Sequence, residues 1–304
     1  MKSRSITTLL LAALLAGGMT ACAGAPPAPT AVPPTAVPTV APTPKPALDM
    51  TAAVDKFLKG LPDGFNGIKP EALKDQMATA KPFLLDVREA SELASGGFIE
   101  GAVNIPIRTV AKNLDKLPAK DQPIVVYCAI GHRGAIAATA LQLLGYTNVK
   151  SISGGFNAWT AAKLPVATGT PNAPVAGAKP TVDAEMLAVL DKYLSGLPDG
   201  FNGVKPDAAK EQIEKTKPFV IDVREPSELA SAGYIEGSVN IPIRTLSANL
   251  SKLPAKDQPI IVYCAIGHRG GMAMAALNLL GYTNVKSISG GFNAWVAANL
   301  PVKK

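Results

Sequence analysis

At 304 residues the chain has room for two average domains. Its 47% hydrophobic and 17% charged residues suit globular cores and argue against a disordered chain. The formal charge of +7, to which Lys2 and Arg4 contribute, includes no dense Lys/Arg cluster. Nucleic acid is therefore not an expected partner, whereas a modest positive balance favours small anionic substrates.

Residues 1–21 read as a targeting segment, with Lys2 and Arg4 ahead of an apolar run from Leu9 to Ala16. That run is shorter than the ~20 residues a bilayer span needs. Met19-Thr20-Ala21-Cys22 resembles the lipobox of bacterial lipoproteins. The resemblance implies that Cys22 carries lipid and becomes the mature N-terminus, making the membrane a partner through that residue. The expected location is then the outer side of the cytoplasmic membrane, or the periplasm or outer membrane. An ordinary secretory signal is the plainer reading. Residues 22–47 follow as a tether: positions 23–47 hold nine prolines and favour polyproline II, with a reach of about 75 Å when extended.

From Leu58 to Pro165 the chain aligns without gaps to Leu194–Pro301, at an offset of 136 residues. LPDGFNG begins at Leu61 and Leu197, VNIPIRT at Val103 and Val239, and SISGGFNAW at Ser151 and Ser287. So long a period describes tandem domains rather than a solenoid, whose units run to about 20–50 residues. The expected domains are residues 48–165 and 182–304, joined by the Gly-, Pro- and Ala-rich linker 166–181.

Within the first copy Val54, Phe57, Leu58 and Leu61 recur at helical spacing. Phe83–Val87, Ile124–Tyr127 and Val149–Ile152 read as short buried strands, and Ala135–Leu144 as an apolar helix stopped by Gly145. Alternating strands and helices predict an α/β fold, two mostly parallel sheets with helices on both faces. Trp159 and Trp295, in the last helix of each copy, are expected in the cores. Ligands of such sheets bind beyond the carboxyl ends of the strands, which is where Cys128 falls.

YCAIGHRG stands at Tyr127–Gly134 and again at Tyr263–Gly270, and it holds both histidines of the chain. A loop between a strand and a helix N-terminus can aim backbone N–H groups inward as an anion nest. A cysteine in such a nest keeps its thiolate more readily than a free one. Arg133 adds positive charge, and His132 either meets substrate or bonds to the loop. Neither copy has a second cysteine, so a resolving thiol within a copy is ruled out.

On these residues each copy resembles a rhodanese domain: DVRE at Asp86, IEGAVNIP at Ile99, the YCAIGHR loop, and GGFNAW at Gly154, all echoed in the second copy. The family's Cys-x-x-Gly-x-Arg loop matches Cys128, Gly131 and Arg133, and likewise Cys264, Gly267 and Arg269. The resemblance implies a sulfurtransferase with Cys128 and Cys264 as nucleophiles, forming persulfides and needing no cofactor or metal. Its donor would be thiosulfate or a similar small sulfur anion, and its acceptor a thiol or cyanide. Ala129, Ile130, Gly131, His132, Arg133 and Gly134 are the expected substrate-binding residues. Their counterparts are Ala265, Ile266, Gly267, His268, Arg269 and Gly270.

Two departures from the family stand out. Phe98 and Tyr234 replace a common histidine, and Gly134 and Gly270 replace a Ser or Thr whose hydroxyl could bond the persulfide. Many tandem members lack the first cysteine; both are kept here, so two competent sites are expected. Asp86 with Arg88, and Asp222 with Arg224, are expected to support the loops as ion pairs. Arg108 and Arg244 are either anion contacts or solvated.

Cys128 and His132 supply two metal ligands per copy, short of a four-ligand structural zinc site. Phosphatases of the Cys-x5-Arg type need one more residue than the four between Cys128 and Arg133. A sulfane-sulfur carrier or sensor, or a protein-interaction module, is the alternative to an enzyme.

Overall fold

The computed structural model describes residue 24, residues 47–174 and residues 177–304. The expected targeting segment, the expected lipid site at Cys22 and all but Gly24 and Ala47 of the tether lie outside the described residues. Ile124-Val125-Val126-Tyr127 forms β4 (Ile124–Tyr127), buried along its whole length, as an apolar, largely β-branched run in a parallel sheet should be. On one side β4 pairs with β2 (Phe83–Asp86), which pairs in turn with β3 (Val103–Asn104). On the other it pairs with β5 (Val149–Ile152), which pairs with β1 (Gly67–Ile68). The sheet is parallel throughout, in the order β1-β5-β4-β2-β3.

The helices of the first copy are α1 (Met50–Lys59), α2 (Pro70–Thr79), α3 (Ala90–Gly96), α4 (His132–Leu143) and α5 (Gly155–Ala161). In the second copy they are α6 (Ala184–Ser195), α7 (Pro206–Thr216), α8 (Pro226–Ala232), α9 (His268–Leu279) and α10 (Gly291–Ala297). Its strands, β6 (Gly203–Val204), β7 (Phe219–Asp222), β8 (Val239–Asn240), β9 (Ile260–Tyr263) and β10 (Val285–Ile288), repeat the same order as β6-β10-β9-β7-β8. Two parallel α/β sheets, one per copy, are thus as expected.

Two details differ from the sequence reading. The edge strands β1, β3, β6 and β8 are two residues each, too short to leave a periodic signal. The helix expected from Ala135 begins at His132, because Gly131 takes a left-handed N-cap conformation (φ 88°) and turns the chain three residues earlier. His132 and Arg133 therefore sit on the first helical turn.

Residues 47–304 form one compact unit. From His132 to Leu141, α4 is buried on every side, and α9 is buried likewise from His268 to Leu277. A helix apolar all round must be covered all round. Each of these packs on its own sheet and on the other, so the two copies share a core that also takes in Val54, Leu58, Leu190 and Leu194 from α1 and α6. The opposite face of each sheet keeps a private core, including Trp159 in one and Trp295 in the other. The segment expected as a linker runs back along the first copy, where Ala167 exchanges hydrogen bonds of 2.8 and 2.9 Å with Phe98. Lys303 does the same for Tyr234, at 2.8 and 2.9 Å.

Candidate active sites

Cys128 follows β4 directly and is fully buried. The carbonyls of its loop face α5: Phe156 N–H donates to Cys128 O at 2.7 Å and Asn157 N–H to Ala129 O at 2.8 Å. This docking needs backbone to meet backbone. A Cβ on Gly155 (φ 63°) would overlap Cys128 O and stand 2.6 Å from Gly131 N. The Gly154-Gly155 pair is therefore the seat of the cysteine loop. In the second copy Phe292 N–H and Asn293 N–H donate to Cys264 O and Ala265 O at 2.7 and 2.9 Å. The first turns of α4 and α9 carry N–H groups that have no intrahelical acceptor and a partial positive charge.

Arg133 is buried and gripped by Glu92 through two bonds of 2.6 Å. Glu92 Oε2 also accepts Glu89 N–H at 2.9 Å, closing a capping box at the start of α3. Burial opposes the charge on Arg133, but Glu92 and the neighbouring Cys128 outweigh it and raise its pKa. Burial likewise disfavours the Glu92 carboxylate; the Arg133 and Glu89 bonds prevail and hold it below the usual range. A charged guanidinium and carboxylate thus flank the cysteine. Arg269 and Glu228 repeat the pair at 2.6 and 2.7 Å.

A cavity of about 310 Å³ opens on Cys128, lined also by Glu92, Arg133, Phe201 and Ser289. Phe201 and Ser289 belong to the second copy. His132 Nε2 lies 2.9 Å from Phe201 O, so that nitrogen carries the proton and donates. Burial pushes the His132 pKa below 6.5 and the Phe201 bond only partly offsets this, leaving the ring neutral near pH 7. Its Nδ1 is buried without a partner. Arg108 donates to Leu197 O at 2.9 Å and to Asp199 Oδ1 at 3.0 Å. The Phe201 ring lies under two guanidinium groups, 4.6 Å from Arg108 and 4.8 Å from Arg133.

The arrangement is reciprocal. His268 Nε2 reaches Phe65 O at 2.9 Å, Arg244 Nε reaches Leu61 O at 2.9 Å, and Phe65 lies 4.5 Å from Arg244 and 4.7 Å from Arg269. Arg108 and Arg244 therefore hold the opposite copy's PDGFN loop. Gly200, Phe201 and Asn202 all have positive φ (77°, 54° and 56°), as do Gly64, Phe65 and Asn66 (81°, 53° and 57°). A left-handed side-chain residue costs roughly 1–2 kcal/mol, and here the arginine and histidine contacts offset it.

Of the remaining site residues read from the sequence, Ala129 and Ile130 line the cavity and are half-buried. A Cβ on Gly134 would stand 2.8 Å from Ser151 Oγ, a buried hydroxyl without a partner; on Gly270 it would stand 2.7 Å from Ser287 Oγ. A β5 or β10 serine thus crowds the place where the family often carries a hydroxyl one position after the loop arginine. Asp86 and Arg88 lie outside the cavity lining. Arg88 donates to Asp86 Oδ2 at 2.6 Å and Gly97 O at 2.8 Å, with Phe156 of α5 4.2 Å from its guanidinium carbon. The pair ties the end of β2 to the helix that seats the loop. Asp222 and Arg224 repeat it at 2.6 Å, with Phe292 at 4.1 Å.

Sequence reasoning missed Glu92, Glu228, Phe65 and Phe201. The glutamates were visible as Glu-x-x-Glu capping patterns beside DVRE. The phenylalanines sat in LPDGFNG, a repeated turn whose spatial partner no local pattern reveals. Among the described residues no group of three or more His, Cys, Asp or Glu is placed to hold a metal ion.

A family model for the rhodanese-like domain matches residues 69–162 and again residues 205–298. The chain is similar to a sulfurtransferase of Allochromatium vinosum, 29% identical over 102 residues, which are 33% of this chain and 94% of that protein. It is also similar to a human thiosulfate:glutathione sulfurtransferase, 31% identical over 100 residues, covering 29% of this chain and 86% of the relative. A rhodanese-related protein of Thermoplasma volcanium is 35% identical, with a TM-score of 0.31, over 33% of this chain and 96% of that one. The two sulfurtransferases among these relatives, with the family match, support a sulfurtransferase activity. The chain belongs to the rhodanese-like family and carries two of its domains in tandem.

Proposed function

We propose that the protein transfers sulfane sulfur through persulfides on Cys128 and Cys264, from a small sulfur anion such as thiosulfate to a thiol or cyanide. The observation that carries this reading is Cys128 at the floor of a small cavity, at a helix N-terminus and beside the buried cation of Arg133. The Cys128 thiolate attacks the outer sulfur of thiosulfate; the S–S bond of the donor breaks, and its electron pair leaves with sulfite. Cyanide or a thiolate then attacks the terminal sulfur of the persulfide and returns the cysteine thiolate. The N–H groups of the helix N-terminus favour the dianionic donor and the anionic persulfide, while Arg133 beside them is already paired with Glu92. Dividing the transfer into two displacements is the gain from covalent catalysis.

Intact mass of residues 48–304, after thiosulfate and then after excess cyanide, tests the reading. Two cyanide-labile sulfur additions are expected. Cys128→Ser and Cys264→Ser should each remove one, and the double variant both. Loading that persists in the double variant overturns the assignment.

Cys22 is proposed as a lipid anchor that places these sites outside the cytoplasmic membrane. Cys22→Ser should then release the protein from membranes into the soluble fraction.

A further inference from the structure

The LPDGFNG segment is written identically in both copies, and each copy lends its phenylalanine to the other. Phe201 lines the Cys128 cavity while its backbone is held by His132 and its ring lies against Arg108 and Arg133. Phe65 makes the matching contacts with His268, Arg244 and Arg269. Both cysteines are fully buried. In each loop the left-handed backbone runs through a glycine, a phenylalanine and an asparagine. Such a conformation persists only where neighbours impose it, and here the neighbours belong to the opposite copy's active-site helix and to the arginine that follows its third strand.

We propose that Phe201 and Phe65 are size-selecting ceilings supplied in trans, Phe201 over Cys128 and Phe65 over Cys264. They admit small anions and low-molecular-weight thiols and shut out thiols borne on folded proteins. What passes beneath them rests on the persulfide reading above; the ceiling itself rests on geometry alone. A protein-borne thiol reaches Cys128 only with its own backbone close behind it, and Gly200, Phe201 and Gly203 of the opposite copy already line the cavity it would have to enter. That loop is no free flap. Arg108 ties both Leu197 O and Asp199, and His132 ties Phe201 O. The two ceilings are also independent, since separate loops and separate arginines build them. A phenylalanine that merely packed against the core would affect both cysteines through stability and would have no preference for reagent size.

The test uses the reduced full chain and site-resolved mass spectrometry, comparing alkylation by iodoacetamide with alkylation by a maleimide bearing a polyethylene glycol chain. Phe201→Gly removes the ring and relieves the positive φ. At Cys128 it should raise the bulky-to-small rate ratio by about tenfold, the effect of losing one modest closing contact, while the ratio at Cys264 stays as in the parent. Phe65→Gly should show the mirror pattern. Phe201→Leu and a thermal melt accompany the series, so that a poorly folded glycine variant does not end the test; the leucine variant should show a smaller rise at the same cysteine. Equal rises at both cysteines, or no change in either ratio, overturn the proposal. Thiosulfate loading is measured on the same samples. Crossed alkylation without any cyanide-labile sulfur would refute the persulfide reading and leave the ceilings standing.

Discussion

In the first copy the active-site helix begins His132-Arg133-Gly134-Ala135-Ile136, and in the second His268-Arg269-Gly270-Gly271-Met272. The two helices cross at these first turns, and there the copies diverge. A Cβ on Gly271 would stand 3.0 Å from His132 O, 3.2 Å from His132 Nδ1 and 3.4 Å from Ala135 Cβ. Ala135 occupies the equivalent position of the first copy and is accommodated. The Cys loops, the Arg–Glu pairs and the PDGFN loops, by contrast, are alike in sequence and nearly alike in distance. Duplication left the cysteine loops and their contacts symmetric, while the seam needed one small residue, on one side only, to bring the helices together. The difference teaches that the two candidate sites and their supports are copies, but the helix crossing behind them is not.

The largest effect should come from breaking one site and sparing the other. Gly155→Ala places a methyl group against Cys128 O and the Gly131 backbone, in a left-handed conformation besides. It should abolish sulfur loading at Cys128 while leaving Cys264 loaded, and Gly291→Ala should do the reverse; peptide mass spectrometry after thiosulfate reads both. Loading of Cys128 at the parental rate in Gly155→Ala would mean that the docking of α5 does not shape the loop.

The seam itself is tested next. Gly271→Val overpacks the crossing and should cost about 1–3 kcal/mol in denaturant unfolding. Ala135→Gly, at the matching position, should cost only about 0.5–1 kcal/mol, the ordinary helix penalty. Equal costs would show that the crossing is symmetric after all.

Acid should act on both ceilings together. The folded pKa of His132 and of His268 is lowered by burial, so below about pH 6.5 the unfolded chain takes up protons first. Stability is then full above that pH and declines as pH falls, by up to about 1.4 kcal/mol per pH unit for each histidine. Glu92 and Glu228, held below the usual carboxylate range chiefly by their arginines against the pull of burial, add a further loss at lower pH. His132→Gln with His268→Gln keeps an amide donor for the Phe201 and Phe65 carbonyls. It should flatten the decline that begins below pH 6.5 in urea midpoints. An unchanged decline would assign it to other groups.

The duplication, the three inner strands of each copy, the buried helix and the cysteine loop were all legible in the chain, because each is written in adjacent residues. Apolar runs such as Ile124–Tyr127 declare a buried strand locally, and a Cys-x-x-Gly-x-Arg motif after one of them marks the loop that leads into the helix. The edge strands were not legible, since two residues carry no period. Nor was the start of α4, because the left-handed turn at Gly131 follows from how the loop docks on α5.

What surrounds each cysteine was decided only in three dimensions. Phe201 lies 73 positions from Cys128 in the sequence, and Arg108 read equally as an anion contact or a solvated residue, where the fold makes it a clamp on Leu197 and Asp199. Local patterning tells which side chains must be buried, but not which distant segment will bury them. That choice is made when α4 and α9, apolar on all sides, find cover in each other and bring each PDGFN loop onto the other copy's active site.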